Sequence, residues 1–343
     1  MTKPNEPMRM LAPDSFRQAL SRRALFQIGG AAAGLAIVAA ACGDDSSSTA
    51  TTGASGGTTG GGSDLLSQYS NVINKSSGQL NMFTWGDYND PDIIGALAES
   101  SLGVTMKVDY YPSNEDLITK LSAANGNSGF DIVVPTGPYI TQMIQKGLLQ
   151  KFDLSKLPNM SNVDPLYLKQ AWDPGNEYSV TKDWGSTGWL YNKTVVTKEL
   201  KTWSDFYDAT ANLASGRTSW LDTAPNVCGP YFWANGINWT TEKKEDLDAC
   251  EAFLVPLAKH VKQFDSYPSS ALAEGAYDLS MAWNGDARQA YFRIADAGGN
   301  PEDWVWGLGG PATELWMDNY CIPAGAPNVD GAHAWINWLL TPE

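Results

Sequence analysis

Three short stretches join an aromatic ring to a carboxylate within two or three residues: Trp85-Gly86-Asp87-Tyr88, Trp283-Asn284-Gly285-Asp286 and Trp316-Met317-Asp318. A carboxylate offers an ammonium group a charge-assisted hydrogen bond. An aromatic face covers a methylene stem and attracts the cation, by about 0.5–2 kcal/mol. The combination suits a small organic cation. The plainer role for each motif is an indole in the core with an aspartate capping a turn. Other chemistry has little support. His260 and His333 lie far apart, no Cys/His cluster has metal-ligand spacing, and no serine sits in a G-x-S-x-G turn. No phosphate loop or dinucleotide fingerprint occurs. We therefore assign no catalytic residue, no metal and no cofactor, and expect a binding protein rather than an enzyme.

The elements that must position these motifs follow from periodicity. Gln79–Trp85 reads as a strand, Asp90–Leu102 as a helix stopped by Gly103, and Val104–Tyr110 as a second strand. A helix then starts after Ser113, its expected N-cap, and runs to about Ala124. Phe130–Val134 is a third strand and Tyr139–Lys146 a third helix. This alternation predicts a parallel sheet, in which ligands bind beyond the carboxyl ends of the strands. Trp85-Gly86-Asp87-Tyr88 and Pro135-Thr136-Gly137 fall at two such ends. Further on, helices around Trp203–Leu213 and Lys244–His260 alternate with strands at Ser219–Asp222 and Asp278–Trp283. Two α/β lobes are expected.

The amino terminus carries a different message. Ser21-Arg22-Arg23-Ala24-Leu25-Phe26 is a twin-arginine pattern, followed by an apolar run from Ile28 to Ala41 that is too short to span a bilayer. Val38-Ala39-Ala40-Ala41-Cys42-Gly43 resembles a lipobox, which makes Cys42 the expected lipidation site; a plain signal peptide is the alternative. Residues 43–64 hold no large apolar side chain and should form a flexible tether with a span of roughly 25 Å. Anchor, tether and folded body describe a protein working just outside a membrane. The net charge is −15, and −18 once residues 1–41 are set aside. That surface repels nucleic acid and favours cationic partners. Cys228 and Cys250 are candidates for a disulfide in an oxidising exterior, whereas Cys321 reads as a small buried hydrophobe.

From Gln79 onward the chain resembles the spermidine/putrescine-binding proteins of bacterial ABC transporters, within the periplasmic-binding-protein superfamily (type II). The resemblance rests on Phe83-Thr84-Trp85-Gly86-Asp87-Tyr88, Ser113-Asn114-Glu115, Phe130–Thr136, Trp184-Gly185-Ser186-Thr187-Gly188, Trp283-Asn284-Gly285-Asp286 and Trp316-Met317-Asp318. It implies aromatic walls from Trp85, Tyr88 and Trp283, a hydroxyl from Thr136, and acids at Asp87 and Asp286. It also implies an ammonium-receiving pair in Trp316 and Asp318, and a polar contact from Ser266. Where the family places an acid after the strand holding Leu221 and Asp222, this chain has Thr223 and Asn226. Asn226 is the candidate contact there, and Asp222 or Asp183 could compensate. The aromatic that some members supply after Val134-Pro135 is matched by Pro138 or Tyr139. The chain stops at Glu343 where the family continues, so a C-terminal truncation is expected.

The resemblance implies an α/β, two-lobe periplasmic-binding-protein-like fold with a hinge and an interlobe ligand cleft. Expected domains are a twin-arginine-type lipoprotein signal (1–41), the lipidated Cys42 and linker (42–77), lobe one (78–186 plus 316–343) and lobe two (187–313). Expected partners are a polyamine or other small cation and ABC permease subunits, for a monomer exported to the periplasm or anchored to the outer face of the cell membrane. The alternatives are a secreted glycoside hydrolase, which would also set tryptophans beside paired carboxylates, and a carbohydrate-binding lipoprotein, which would share the two-lobe fold but use aromatic faces with neutral hydrogen bonds.

Overall fold

The computed structural model describes residues 78–341. The twin-arginine segment, Cys42 and the tether lie outside the described residues. Strand β1 (Gly78–Trp85) pairs in parallel with β2 (Val104–Tyr111) and with β3 (Ile132–Val133). Helices α1 (Pro91–Leu102), α2 (Asn114–Ala124) and α3 (Gly137–Gln145) follow these strands in turn. Local chemistry sets their ends. Gly103 closes α1 at φ 74° with its N–H on the Glu99 carbonyl, a conformation that favours glycine. Ser113 caps α2 by accepting the Asp116 N–H.

The sheet is mixed rather than parallel throughout, which corrects the simple βαβ expectation. Strand β9 (Leu315–Cys321) inserts antiparallel beside β3 and along the first half of β4 (Ser179–Asn192). The second half of β4 pairs antiparallel with β7 (Leu279–Trp283) and β8 (Trp304–Gly307). Beyond β7 the sheet returns to parallel pairing through β5 (Thr218–Trp220) and β6 (Val261–Phe264). The resulting order is β2-β1-β3-β9-β4-β7-β5-β6, with β8 on β4. Helices α4 (Trp203–Asn212), α5 (Ala224–Ala234), α6 (Lys244–Ala258), α7 (Ser269–Ala273), α8 (Asn284–Asp296) and α9 (Val329–Leu339) complete the fold.

Burial separates along β4. One apolar cluster gathers Leu80, Phe83, Ile132, Val180 and Ile322 with Trp335 of α9. Two others hold Trp189, Trp203, Phe206 and Trp220, and Leu190, Ala282 and Ile294. Chain crossings between the first cluster and the rest therefore run through β4 and β9. The candidate disulfide is not formed: Cys228 on α5 and Cys250 on α6 are free thiols. Burial, then the neighbouring Cys228, which makes a side-chain hydrogen bond with it, pushes the Cys250 thiol up to about 12. Cys321 is fully buried, as its apolar surroundings predict.

Candidate functional site

A cavity of about 500 Å³ opens where the ends of β1 and β3 face α5, α8 and β9. Nine of the ten sequence-selected ligand residues line it: Trp85, Asp87, Tyr88, Thr136, Asn226, Trp283, Asp286, Trp316 and Asp318. Ser266 does not. It is buried one residue away from the lining Tyr267, and its hydroxyl accepts the Asp222 N–H. The lining holds five carboxylates (Asp87, Glu115, Asp286, Glu314 and Asp318), and no Lys, Arg or His.

Asp318 is the best-supported acid. An isolated antiparallel bridge ties Thr136, just after β3, to Asp318 in β9, and the Thr136 hydroxyl donates to Asp318 Oδ1 at 2.6 Å. Asn114, the first residue of α2, accepts the Thr136 N–H and donates to its Oγ1, fixing that hydroxyl. On the other side the Tyr88 hydroxyl lies 3.0 Å from Asp318 Oδ2 and also contacts Asp183. A phenol has one proton, so it donates to one carboxylate and accepts from the other only when that one is protonated. Burial, then repulsion from Asp183, pushes the Asp318 carboxyl up to about 7 despite the Thr136 hydrogen bond. Lys182 backs this corner. Its ammonium sits 3.3 Å from Asp183 Oδ2 and 3.4 Å above the Tyr88 ring, and burial holds its pKa below the usual lysine value.

The opposite end is built by the turn after β1. Trp85 donates its indole N–H to the Val134 carbonyl and meets Trp283 edge-on at 5.7 Å. Asp87 adopts a left-handed φ of 49° and forms an ion pair with Arg293 of α8 at 3.1 Å, so its charge is already met within the protein. Gln289 donates to the Asp87 carbonyl at 2.6 Å. The Tyr267 hydroxyl accepts the Gly86 N–H and donates to the Tyr111 carbonyl, both at 3.0 Å. Asp286, in the first turn of α8, forms no salt bridge among the described residues. Burial, then the nearby Asp87 charge, pushes its carboxyl up to about 7.

Trp316 packs against the backbone of β4 at Gly185. A Cβ at Gly185 would meet its ring at 2.2 Å and Asn284 Oδ1 at 2.2 Å, so only glycine fits there. Thr223 and Asn226 do reach the cavity; Asp222 is exposed and does not line it, whereas Asp183 bonds Tyr88. Tyr139 and Pro138 both line the wall, Tyr139 donating to Glu115 at 2.8 Å. Sequence reasoning gave no role to Glu314, Tyr267 or Lys182. Glu314 stands two residues before the noted Trp316, and strand alternation alone could have flagged it.

With this geometry in view, the class of protein is clear: the chain belongs to the bacterial extracellular solute-binding proteins, whose family model matches residues 92–343. It is similar to the spermidine/putrescine-binding periplasmic protein of Escherichia coli (strain K12), with 32% identity over 266 residues, 77% of this chain and 73% of that one. A putrescine-binding periplasmic protein of Pseudomonas aeruginosa is 30% identical over 275 residues, covering 77% and 74%. Among solved structures, a putative spermidine/putrescine ABC transporter from Listeria monocytogenes superposes with a TM-score of 0.69 at 30% identity, over 77% and 78% of the two chains. The TpPotD lipoprotein of Treponema pallidum gives 0.67 at 30%, over 77% and 81%. The fold is thus the mixed α/β fold of periplasmic binding proteins, and these relatives are solute-binding proteins, not enzymes.

Proposed function

We propose that this protein captures a polyamine-like cation in the cavity and presents it to an ABC permease. The observation that carries the reading is the lining: five carboxylates with no basic side chain, among the indoles of Trp85, Trp239, Trp283 and Trp316. A sugar needs indole faces and one or two carboxyls to accept its hydroxyls, but it has no charge to balance five acids with no basic side chain among them. A linear ammonium compound uses both, ion-pairing at its ends and stacking its methylenes between. The names of the relatives agree with this chemistry.

In this reading residues 78–186 with 316–343 form one lobe and 187–313 the other, with β4 and the start of β9 as hinge crossings. The division of the apolar clusters supports it. Contacts across the gap, Arg293 to Asp87 and Tyr267 to Gly86, favour a closed arrangement. The amino-terminal pattern adds export and a lipid anchor at Cys42, so capture occurs on a tether outside the membrane.

A thermal-shift panel on the mature protein tests the reading. Putrescine, spermidine or agmatine should raise the melting temperature in proportion to occupancy, while glucose and maltose should not. A shift with a sugar and none with any amine would reverse the assignment.

A further inference from the structure

Glu314 combines features that no other acid in the cavity shares. It lines the wall, is half-buried, and one oxygen, Oε2, is fixed by the Thr187 hydroxyl and the Asn226 amide, each at 2.7 Å. Its other oxygen takes no protein donor among the described residues, and no Lys or Arg lies within 4 Å. Thr223 donates in turn to the Asn226 carbonyl, so the amide is turned with its NH2 toward Glu314. By contrast Asp87 is already paired with Arg293, and Glu115 is exposed and bonded to Tyr139.

The backbone supplies the spacing. The Thr187 N–H bonds the Glu314 carbonyl, which extends the β4–β9 ladder one residue beyond Leu315. Alternate residues of a strand face one side, and Glu314, Trp316 and Asp318 all line the cavity. At a rise of about 3.3 Å per residue, the two acids stand roughly 13 Å apart along the strand, with an indole between them. From this placement we propose that Glu314 is a ligand-binding residue, closing an acid–indole–acid ladder on β9 that holds the two ends of a linear polyamine. Asn226 and Thr187 are its positioning residues. The inference rests on the cation-binding reading above and goes further in naming the acid that selects for a second charge.

The test is calorimetry on the mature protein at pH 7.5 with spermidine and with butylamine, a monoamine that needs only one acid. Glu314→Gln should weaken spermidine by about 30-fold or more, the range for truncating a buried hydrogen-bonded charge pair, and change butylamine by less than about threefold. Glu314→Asp, which keeps the charge but pulls back from Thr187 and Asn226, should recover part of the loss; it also decides the matter if the Gln variant does not fold. Spermidine affinity in Glu314→Gln within about twofold of wild type, well below the expected range, would overturn the ladder and leave the cation reading standing. So would equal losses for both amines, or an Asp variant no better than Gln. If the wild type binds neither amine, both readings fall.

Discussion

The Asp318 corner shows how single side chains set the ligand's chemistry. Thr136 and Tyr88 both reach this carboxyl, and burial still leaves it titrating at about 7. Asp286 titrates at about 7 for the same leading cause. An incoming cation favours the ionised forms, so binding near neutrality should expel protons, and affinity should fall as pH drops from 7.5 to 6. Calorimetry in two buffers of unlike ionisation enthalpy reads the released protons directly. Stability runs the other way in the ligand-free protein. Both carboxyls titrate higher in the fold than the 3.8 of an ordinary aspartate. The native state therefore holds extra protons between those values, and their contribution is complete below about pH 4 and lost as pH rises through about 7. Melting temperature without ligand should decline over that window, and the shift produced by ligand should grow. Asp318→Asn should cost about 3 kcal/mol of binding, near 100-fold, because it leaves a desolvated ammonium without its counter-charge; a titration measures it.

Elements decide where these side chains meet. Gly185 on β4 lets Trp316 of β9 lie against bare backbone, so Gly185→Ala should push the indole into the cavity. We expect ligand affinity to fall at least tenfold while the melting temperature drops by only a few degrees, about 1–2 kcal/mol of overpacking; parallel titrations and melts separate the two. Much of this framework was legible beforehand. The first three strands and helices follow from period-2 and period-3.6 patterns, the Ser113 cap and the Gly103 stop, all local signals. Long-range pairing was not. No local pattern announces that β9 inserts between β3 and β4, or that the register slips between Thr181 and Asp183. That slip is a bulge, and the buried Lys182 sits at it. Helix α5 holds Pro225, Gly229 and Pro230, residue types that mask a helical pattern, yet its Thr223 cap and Asn226 shape the wall. The aromatic-acid motifs flagged three of the five lining acids; strand alternation with Trp316 points to Glu314, but its partners, Thr187 and Asn226, come from distant parts of the chain.

At the scale of the whole molecule, a net charge of −15 and an acid-lined cavity draw cations at long range. Salt screens this field, so amine association should slow at least severalfold between 50 and 300 mM salt, where the screening length falls from roughly 14 to 6 Å; stopped-flow tryptophan fluorescence follows it, with Trp85, Trp283 and Trp316 as reporters. The proposed lobes should also respond as bodies. Arg293→Ala combined with Tyr267→Phe removes the Asp87 ion pair and leaves the Tyr111 and Gly86 backbone groups without their bridge. Small-angle scattering should then find this ligand-free variant more extended than the wild type, and saturating amine should contract it. All of this depends on one physical claim: that the buried carboxyls and indoles converge on an organic cation. The most direct test is titration of the mature protein with spermidine, putrescine and glucose, repeated on Asp318→Asn. The expected result is one-site binding of an amine that Asp318→Asn abolishes or weakens near 100-fold, with no heat from glucose. Saturable binding of glucose with silence from both amines, or an amine bound equally well without the Asp318 charge, would contradict it.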